Sequence, residues 1–175
     1  PINIWKTTKR KKIKNNDPPN FTSLVPVGQH WNIESATRNY LSYKGEQYIV
    51  QASSVDRLNE GNSYPSFLFN KQNYWATDSD QGFASIDVHF PKPVVANVLT
   101  MTARKGNESQ QAPTSFEVCS FKDGALKPLK KFNKVEWSPN LQSTFTFSNR
   151  TKFSDYRVAF YESNAPNKSF GLAFS

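Results

Sequence analysis

The sequence predicts an all-β protein, an antiparallel β-sandwich or jelly roll with an extended N-terminal arm. Short runs rich in β-branched and aromatic residues recur over residues 48–175, with turn signals between them. Hardly any segment shows the apolar period of about 3.6 residues that marks an amphipathic helix. Aromatic residues make up 14% of the chain, and 11 prolines stand against 7 glycines, which favours strands joined by turns.

The strands are predicted to follow one another from residue 48. The runs with strand character are YIVQASS, FASIDVHF, PVVANVLTMTAR, SFEVCSF, STFTFS, DYRVAFYE and FGLAFS. FASIDVHF alternates, with Ile86 and Val88 on one face and Asp87 and His89 on the other. PVVANVLTMTAR is apolar on both faces, as in a central sandwich strand. KDG after SFEVCSF predicts a tight turn.

Residues 1–20 are predicted to form a basic, extended arm. Six lysines or arginines against one aspartate give this segment a net charge of +5, out of +8 for the whole chain. It lacks a periodic apolar pattern and ends in Asp-Pro-Pro, which favours extended backbone. We expect the arm to bind a partner through an apolar tip and a basic middle, formed by Ile2, Ile4, Trp5, Lys6, Lys9, Arg10, Lys11, Lys12 and Lys14.

Residues 21–47 are predicted to be a transitional segment that packs on the sandwich, which itself spans residues 48–175. Periodic signals are weak there, and IESATRNYL (residues 33–41) is compatible with a short helix or a loop. No apolar run approaches the roughly 20 residues of a membrane-spanning helix, and no charged-then-apolar leader is present. We therefore expect neither a signal peptide nor a transmembrane segment.

The acid-rich cluster is the one place where a metal or acid/base site is worth weighing, and it consists of Asp78, Asp80, Asp87 and His89. Asp87 and His89 share a strand face, but a pair lacks the additional ligands that a metal site needs. We interpret this face as solvated strand surface, with a recognition role or a metal or acid/base site as alternatives. Cys119 is the only cysteine, so no internal disulfide forms, and it is predicted to be a small buried apolar residue.

Sequence motifs for catalysis are absent. The chain has no Gly-x-Ser-x-Gly, no phosphate-binding glycine loop and no His-Glu-x-x-His. We predict a protein that is not an enzyme and that uses no metal and no cofactor.

Residues 48–175 contain, in this order, QASS (51–54), YPSFLFN (64–70), YWAT (74–77), DSDQGF (78–83), ASIDVHF (84–90), VVANVLTMTAR, PTSFEVCSFKDG (113–124), FTFSNRTKFSDYRVAFYE and FGLAFS. This ordered set resembles the discoidin (coagulation-factor type C) family of galactose-binding-like β-sandwiches. The resemblance implies that Trp75 belongs to the framework and that Asp87 is an acidic strand position. Asn70-Lys71 stands where many relatives have Asp-Gly beside a structural calcium, which argues against a calcium site here.

The resemblance also implies non-catalytic binding through loops at one end of the sandwich. The matching loops are residues 55–63, 76–82 and 104–112. The candidate ligand-binding residues in them are Arg57, Asp78, Asp80, Arg104, Lys105 and Glu108, and plain solvated loop residues are the alternative. The loops lack the exposed aromatic or leucine spikes of lipid-binding relatives, so we expect no membrane insertion.

The main functional hypothesis is a virion structural protein, a component of a phage tail, baseplate or fibre that is made in the host cytoplasm. Its arm would dock on other virion subunits, and its sandwich would contact protein or a cell-surface glycan. The first alternative is a stand-alone carbohydrate-binding lectin or adhesin. The second is nucleic-acid binding through the arm, although the rest of the chain carries only +3 and no nucleic-acid motif.

Overall fold

The computed structural model describes residues 22–23, 38–43, 45–56, 65, 74–78 and 82–173. Within these residues the strands are β1 (Thr22–Ser23), β2 (Arg38–Tyr43), β3 (Glu46–Ala52), β4 (Tyr74–Ala76), β5 (Ala84–Val94), β6 (Val98–Thr102), β7 (Pro113–Lys122), β8 (Ala125–Phe132), β9 (Gln142–Thr146), β10 (Phe153–Ser163) and β11 (Gly171–Ala173). A 3-10 helix spans Gly106–Gln111. The arm, residues 1–20, lies outside the described residues.

The described strands form two antiparallel sheets that pack on a common core. The larger sheet has seven strands in the order β1-β2-β3-β5-β10-β7-β8, and the smaller has four in the order β4-β11-β6-β9. This arrangement confirms the predicted antiparallel β-sandwich. No helix among the described residues is long and apolar enough to cross a membrane.

Alternation along the central strands places the core between the sheets. On β10, Val158 pairs with Ile86 of β5 on one side and with Val118 of β7 on the other. All three side chains are fully buried. Because side chains alternate along a strand, the intervening polar residues lie on the outer face of the larger sheet.

Trp75 belongs to the framework, as the resemblance implies. Its side chain is fully buried, and its ring centroid lies 5.6 Å from that of Phe160. The indole N–H donates a hydrogen bond to the Ser54 carbonyl oxygen at 3.0 Å, so the polar group of this large side chain is satisfied inside the core. Trp75 therefore fixes the start of the β3–β4 connection against the core.

The segment predicted as transitional contributes strands to the larger sheet. The prediction of a short helix or loop over residues 33–41 is wrong for its described part, because Arg38–Tyr43 forms β2. β2 pairs along its whole length with β3, from Arg38 opposite Gln51 to Tyr43 opposite Glu46. The pairing partner, rather than any local periodicity, makes this polar run a strand.

The run PVVANVLTMTAR is divided between two sheets instead of forming one strand. β5 ends at Val94 in the larger sheet, and β6 begins at Val98 in the smaller one. The buried Tyr156 hydroxyl stabilises this crossing: it donates to the Val94 carbonyl at 2.6 Å and accepts from the Ala96 N–H at 3.2 Å. The Asn149 side-chain amide donates to the Tyr156 hydroxyl oxygen at 3.2 Å.

The strand β8 has no clear sequence signal, because ALKPLKKF is rich in lysine and contains proline. It forms because Lys122 and Ala125 close a two-residue hairpin with β7. Asp123 and Gly124 both have positive φ, 52° and 77°, as a type I′ turn requires, so the KDG turn occurs where predicted. Pro128 sits on the edge strand beside a register shift, where the ladder tolerates a missing N–H.

We expect Tyr156→Phe to destabilise the protein by about 1–3 kcal/mol, because it leaves the Val94 carbonyl and the Ala96 N–H without their buried partner. Tyr161→Phe is the matched control, since the Tyr161 ring is 37% exposed. We expect its free energy of unfolding to stay within about 0.5 kcal/mol of the parent. Urea denaturation of both variants measures the difference, and equal midpoints would contradict the role assigned to Tyr156.

Candidate functional site

One end of the sandwich, which we call the loop end, gathers the connections β3–β4, β4–β5, β6–β7, β8–β9 and β10–β11. Backbone hydrogen bonds tie the described parts of these connections together. Asp56 N–H donates to the Ala76 carbonyl at 2.8 Å, and Thr77 N–H donates to the Phe170 carbonyl at 2.8 Å. The three loops predicted to share one end therefore do so where the structure describes them.

Arg104 is the centre of a side-chain network at the loop end. Its guanidinium lies 3.6 Å from the centroid of the Tyr74 ring, within the range of a cation–π interaction. Its Nη1 donates to Oε1 of Gln111 at 2.5 Å. Gln111 Nε2 in turn donates to Oγ of Ser169 at 3.0 Å, which donates to Oδ1 of Asn167 at 2.7 Å. The Arg104 guanidinium and the Gln111 amide are thus each held in one orientation by their neighbours.

Gly171 allows this network to lie close to β11. A Cβ atom there would come within 2.6 Å of Oε1 of Gln111 and 3.2 Å of the Trp75 carbonyl oxygen. Any larger residue would displace the Gln111 amide or the backbone beneath it. The glycine is required by close approach, and its φ is not in the left-handed region.

An open groove of about 570 Å³ lies beside the network, between the 3-10 helix and the β10–β11 connection. Its polar lining residues are Asn107, Glu108, Gln110, Gln111 and Asn167. Side-chain amides both donate and accept hydrogen bonds, and a carboxylate accepts them. A ligand carrying several hydroxyl groups is the chemical complement of such a lining.

The structure brings together some of the sequence-predicted residues. Arg104 is partly buried in the network, and Glu108 is exposed on the groove, whereas Lys105 is exposed outside the groove lining. Asp78 is partly buried, at the start of the β4–β5 connection. Arg57 and Asp80 lie outside the described residues.

The sequence reasoning missed Tyr74, Gln111, Asn167 and Ser169. The amide-rich stretch NESQQ was a usable signal for Gln111, because amides concentrated in a loop between strands are common in polar binding surfaces. No comparable signal joined it to Asn167 and Ser169, which lie more than fifty residues further along the chain.

Two members of the acid-rich cluster, Asp87 and His89, are paired with other side chains. Asp87 accepts two hydrogen bonds from Arg157, at 2.7 and 2.9 Å, and His89 Nδ1 lies 2.6 Å from Oδ1 of Asp155. Among the described residues, no group of three or more His, Cys, Asp or Glu side chains is placed to hold a metal ion. Asp87 and His89 lie on the outer face of the larger sheet, as their alternation predicts.

Solved structures share this fold. One is a family 32 carbohydrate-binding module from Clostridium perfringens in complex with GalNAc-β-1,3-galactose, with a TM-score of 0.60 and 18% identity over 73% of this chain and 91% of that one. Another is the family 32 module of C. perfringens NanJ in complex with galactose, with a TM-score of 0.58 and 19% identity over 73% and 90%. An F5/8 type C domain from Bacteroides fragilis has a TM-score of 0.61 and 12% identity over 80% and 95%.

The chain has the galactose-binding-like β-sandwich fold. This agrees with the discoidin resemblance at the level of architecture, and identities below 20% establish the fold alone. No protein-family model and no curated protein matches the sequence.

Cys119 is inert in the folded galactose-binding-like sandwich. Burial raises the pKa of its thiol from 9.0 to about 12, and the neighbouring Glu117 carboxylate adds to the shift. The thiol is fully buried, and its Sγ lies 3.4 Å from Oε1 of Glu117. Because the thiolate is the reactive form, this environment excludes Cys119 as a nucleophile at neutral pH.

We expect native protein to resist iodoacetamide at pH 8 and to be alkylated once it is unfolded in urea. The neutral thiol is favoured in the folded state, so its contribution to stability is present below pH 9 and is lost as the pH rises toward about 12. Mass spectrometry of alkylated native and unfolded samples measures the difference. Equal labelling rates in the two samples would contradict the burial of Cys119.

Proposed function

We propose that this protein is a carbohydrate-binding module that contacts its glycan through the groove at the loop end. The observation that carries the proposal is the Arg104–Gln111–Ser169–Asn167 network beside that groove. It holds the Gln111 amide, which lines the groove, in a fixed orientation. Fixed groups bind with a smaller loss of side-chain entropy than mobile ones, and this is how polar sites achieve useful affinity.

The chemistry of the groove suits a neutral sugar. Glu108 can accept hydrogen bonds from paired hydroxyl groups, while the amides of Asn107 and Gln110 can donate or accept. Solved structures of the same fold that hold a galactose-containing disaccharide or galactose support a sugar as the ligand class.

We infer that binding, without catalysis, is the activity of the sandwich. Cys119 is blocked by burial, and the His89–Asp155 pair lies on the outer sheet face, away from the groove. Structural neighbours that are carbohydrate-binding modules support the same conclusion.

The virion setting stays a prediction. The structures reported above support glycan contact by the sandwich, and they give no support to a phage tail or baseplate role. The arm that would dock on virion subunits, or bind nucleic acid, lies outside the described residues. The proposed glycan contact does not depend on either role.

We expect the labelled full-length protein to bind a subset of glycans on a glycan array, with galactose-containing glycans among them. Arg104→Ala should weaken this binding by at least about tenfold, because Gln111 loses the group that orients it. Arg150→Ala is the matched control, since Arg150 is an exposed cation in the β9–β10 connection, at the opposite end of the sandwich. It should bind like the parent.

A thermal melt shows whether Arg104→Ala remains folded. Glu108→Ala, at an exposed groove position, tests the same groove without removing any network contact and should also weaken binding. Absence of binding to every glycan on the array would overturn the proposed function. Binding that neither variant weakens would overturn the proposed location.

A further inference from the structure

A second polar cavity, which we call the sheet-face pocket, lies on the outer face of the seven-stranded sheet. Its volume is about 520 Å³, and residues from β2, β3, β5, β7 and β10 line it together with the β7–β8 turn. That turn is at the end of the sandwich opposite the loop end. The sheet-face pocket is therefore a separate site, built on paired strands and one hairpin turn.

Strand register places the polar lining residues Gln51, Asp87, His89 and Asp155 in adjacent rows, with Ile49 of the apolar wall and with Arg157 beside the pocket. In one row Gln51 lies opposite Asp87, which lies opposite Arg157. In the next row Ile49 lies opposite His89, which lies opposite Asp155. Side chains in directly opposed positions of antiparallel strands are neighbours, so the sheet itself brings these groups together.

Ion pairs fix the orientation of these groups. The Asp87 carboxylate accepts from Nε and Nη2 of Arg157 at 2.7 and 2.9 Å, a bidentate geometry that orients both planar groups. The pair is partly screened from water, with side-chain exposures of 31% and 30%. His89 and Asp155 form a second pair at 2.6 Å. Each carboxylate has about four acceptor positions, so these bonds leave acceptors for a ligand.

The pocket also has apolar walls. Ile49 and Phe121 line it, and the Arg157 guanidinium lies 5.2 Å from the centroid of the Phe121 ring, which helps to fix the ring. Arg38 supplies a hydrogen-bond donor on the β2 side. Aromatic and aliphatic walls with a few oriented donors and acceptors are the features of small-molecule sites, whose volumes run from about 300 to 1,000 Å³.

We propose that the sheet-face pocket is a second carbohydrate-binding site that holds one neutral sugar unit. The lining has three carboxylates, Asp87, Asp123 and Asp155, against the Arg38 guanidinium, an excess that disfavours an anionic ligand. Arg157, beside the pocket, pairs with Asp87, and His89 pairs with Asp155. Carboxylates that keep free acceptor positions suit the hydroxyl donors of a neutral sugar. Sugar hydroxyls donate to the carboxylates and accept from Gln51 and Arg38, while the C–H face of the ring packs on Phe121.

A sugar fits this surface better than an extended peptide does. β3, β5, β10 and β7 are each paired on both sides, so their backbone groups are engaged and recognition must rely on side chains. The inference rests on the proposed carbohydrate-binding function for its ligand class. Together with the loop end, the pocket would make the sandwich bivalent toward branched or clustered glycans and raise its avidity.

The test is a titration of the ¹⁵N-labelled full chain, followed by two-dimensional NMR, with galactose, glucose, mannose and N-acetylgalactosamine as separate probes. We expect at least one sugar to shift the amide signals of Gln51, His89 and Phe121, and these shifts should persist in Arg104→Ala. Phe121→Ala and Asp155→Asn should each weaken sheet-face binding by about tenfold. Phe83→Ala, an exposed aromatic outside the pocket lining, should not.

Asp155→Asn keeps the size of a side chain that is 48% exposed, so this variant should remain folded if Phe121→Ala does not. Shifts confined to the loop end would overturn the second site while the proposed function stands. Sheet-face shifts that both pocket variants leave unchanged would also overturn it. If none of the four sugars shifts signals at the loop end or at the sheet-face pocket, and the protein binds no glycan on the array, both proposals are overturned.

Discussion

The strand β10 is the element on which the rest of the structure depends. It lies between β5 and β7 in the larger sheet, and its two faces have opposite chemistry. Tyr156, Val158 and Phe160 point into the core and are fully buried, whereas Asp155 and Arg157 lie on the outer face. A register slip of one residue would exchange the faces, burying both charged groups and exposing the aromatic ones. The hydrophobic core and the outer polar rows therefore select the same register.

The position of β10 also explains where the two candidate sites lie. At one end it leads into the connection that carries Asn167 and Ser169, and those residues complete the network around Arg104. Along its outer face it supplies Asp155 to the lining of the sheet-face pocket and Arg157 to the ion pair with Asp87 beside it. The first site is built from loops held by side-chain hydrogen bonds. The second is built from strands, which place side chains with less freedom.

Much of the fold was predictable because the core strands alternate. The segments FASIDVHF and DYRVAFYE show the period of two, and both became central strands. β2 and β8 were missed because RNYLSY and ALKPLKKF carry little alternation, and each becomes a strand by pairing with a neighbour. PVVANVLTMTAR was predicted as one central strand because it is apolar on both faces. The crossing between the sheets at Ala96 is stabilised by the Tyr156 hydroxyl, which lies 60 residues away in the chain.

The loop end was predictable in outline and not in its contacts. The family resemblance correctly placed the described parts of three loops at one end, and it selected Arg104 and Glu108. The other members of the Arg104 network come from β4, from the β6–β7 connection and from the β10–β11 connection, and no local pattern records that Tyr74, Gln111 and Ser169 meet there. Such contacts are determined by how the sheets pack, which a single sequence does not reveal.

The claim that the loop end holds a sugar is tested most directly by a crystal structure of the full-length protein soaked with galactose. The account predicts sugar density in the groove between the 3-10 helix and the β10–β11 connection, with hydroxyl groups within hydrogen-bond distance of Gln111 and Glu108. Sugar bound on the opposite end of the sandwich, with the groove containing only water, would contradict it.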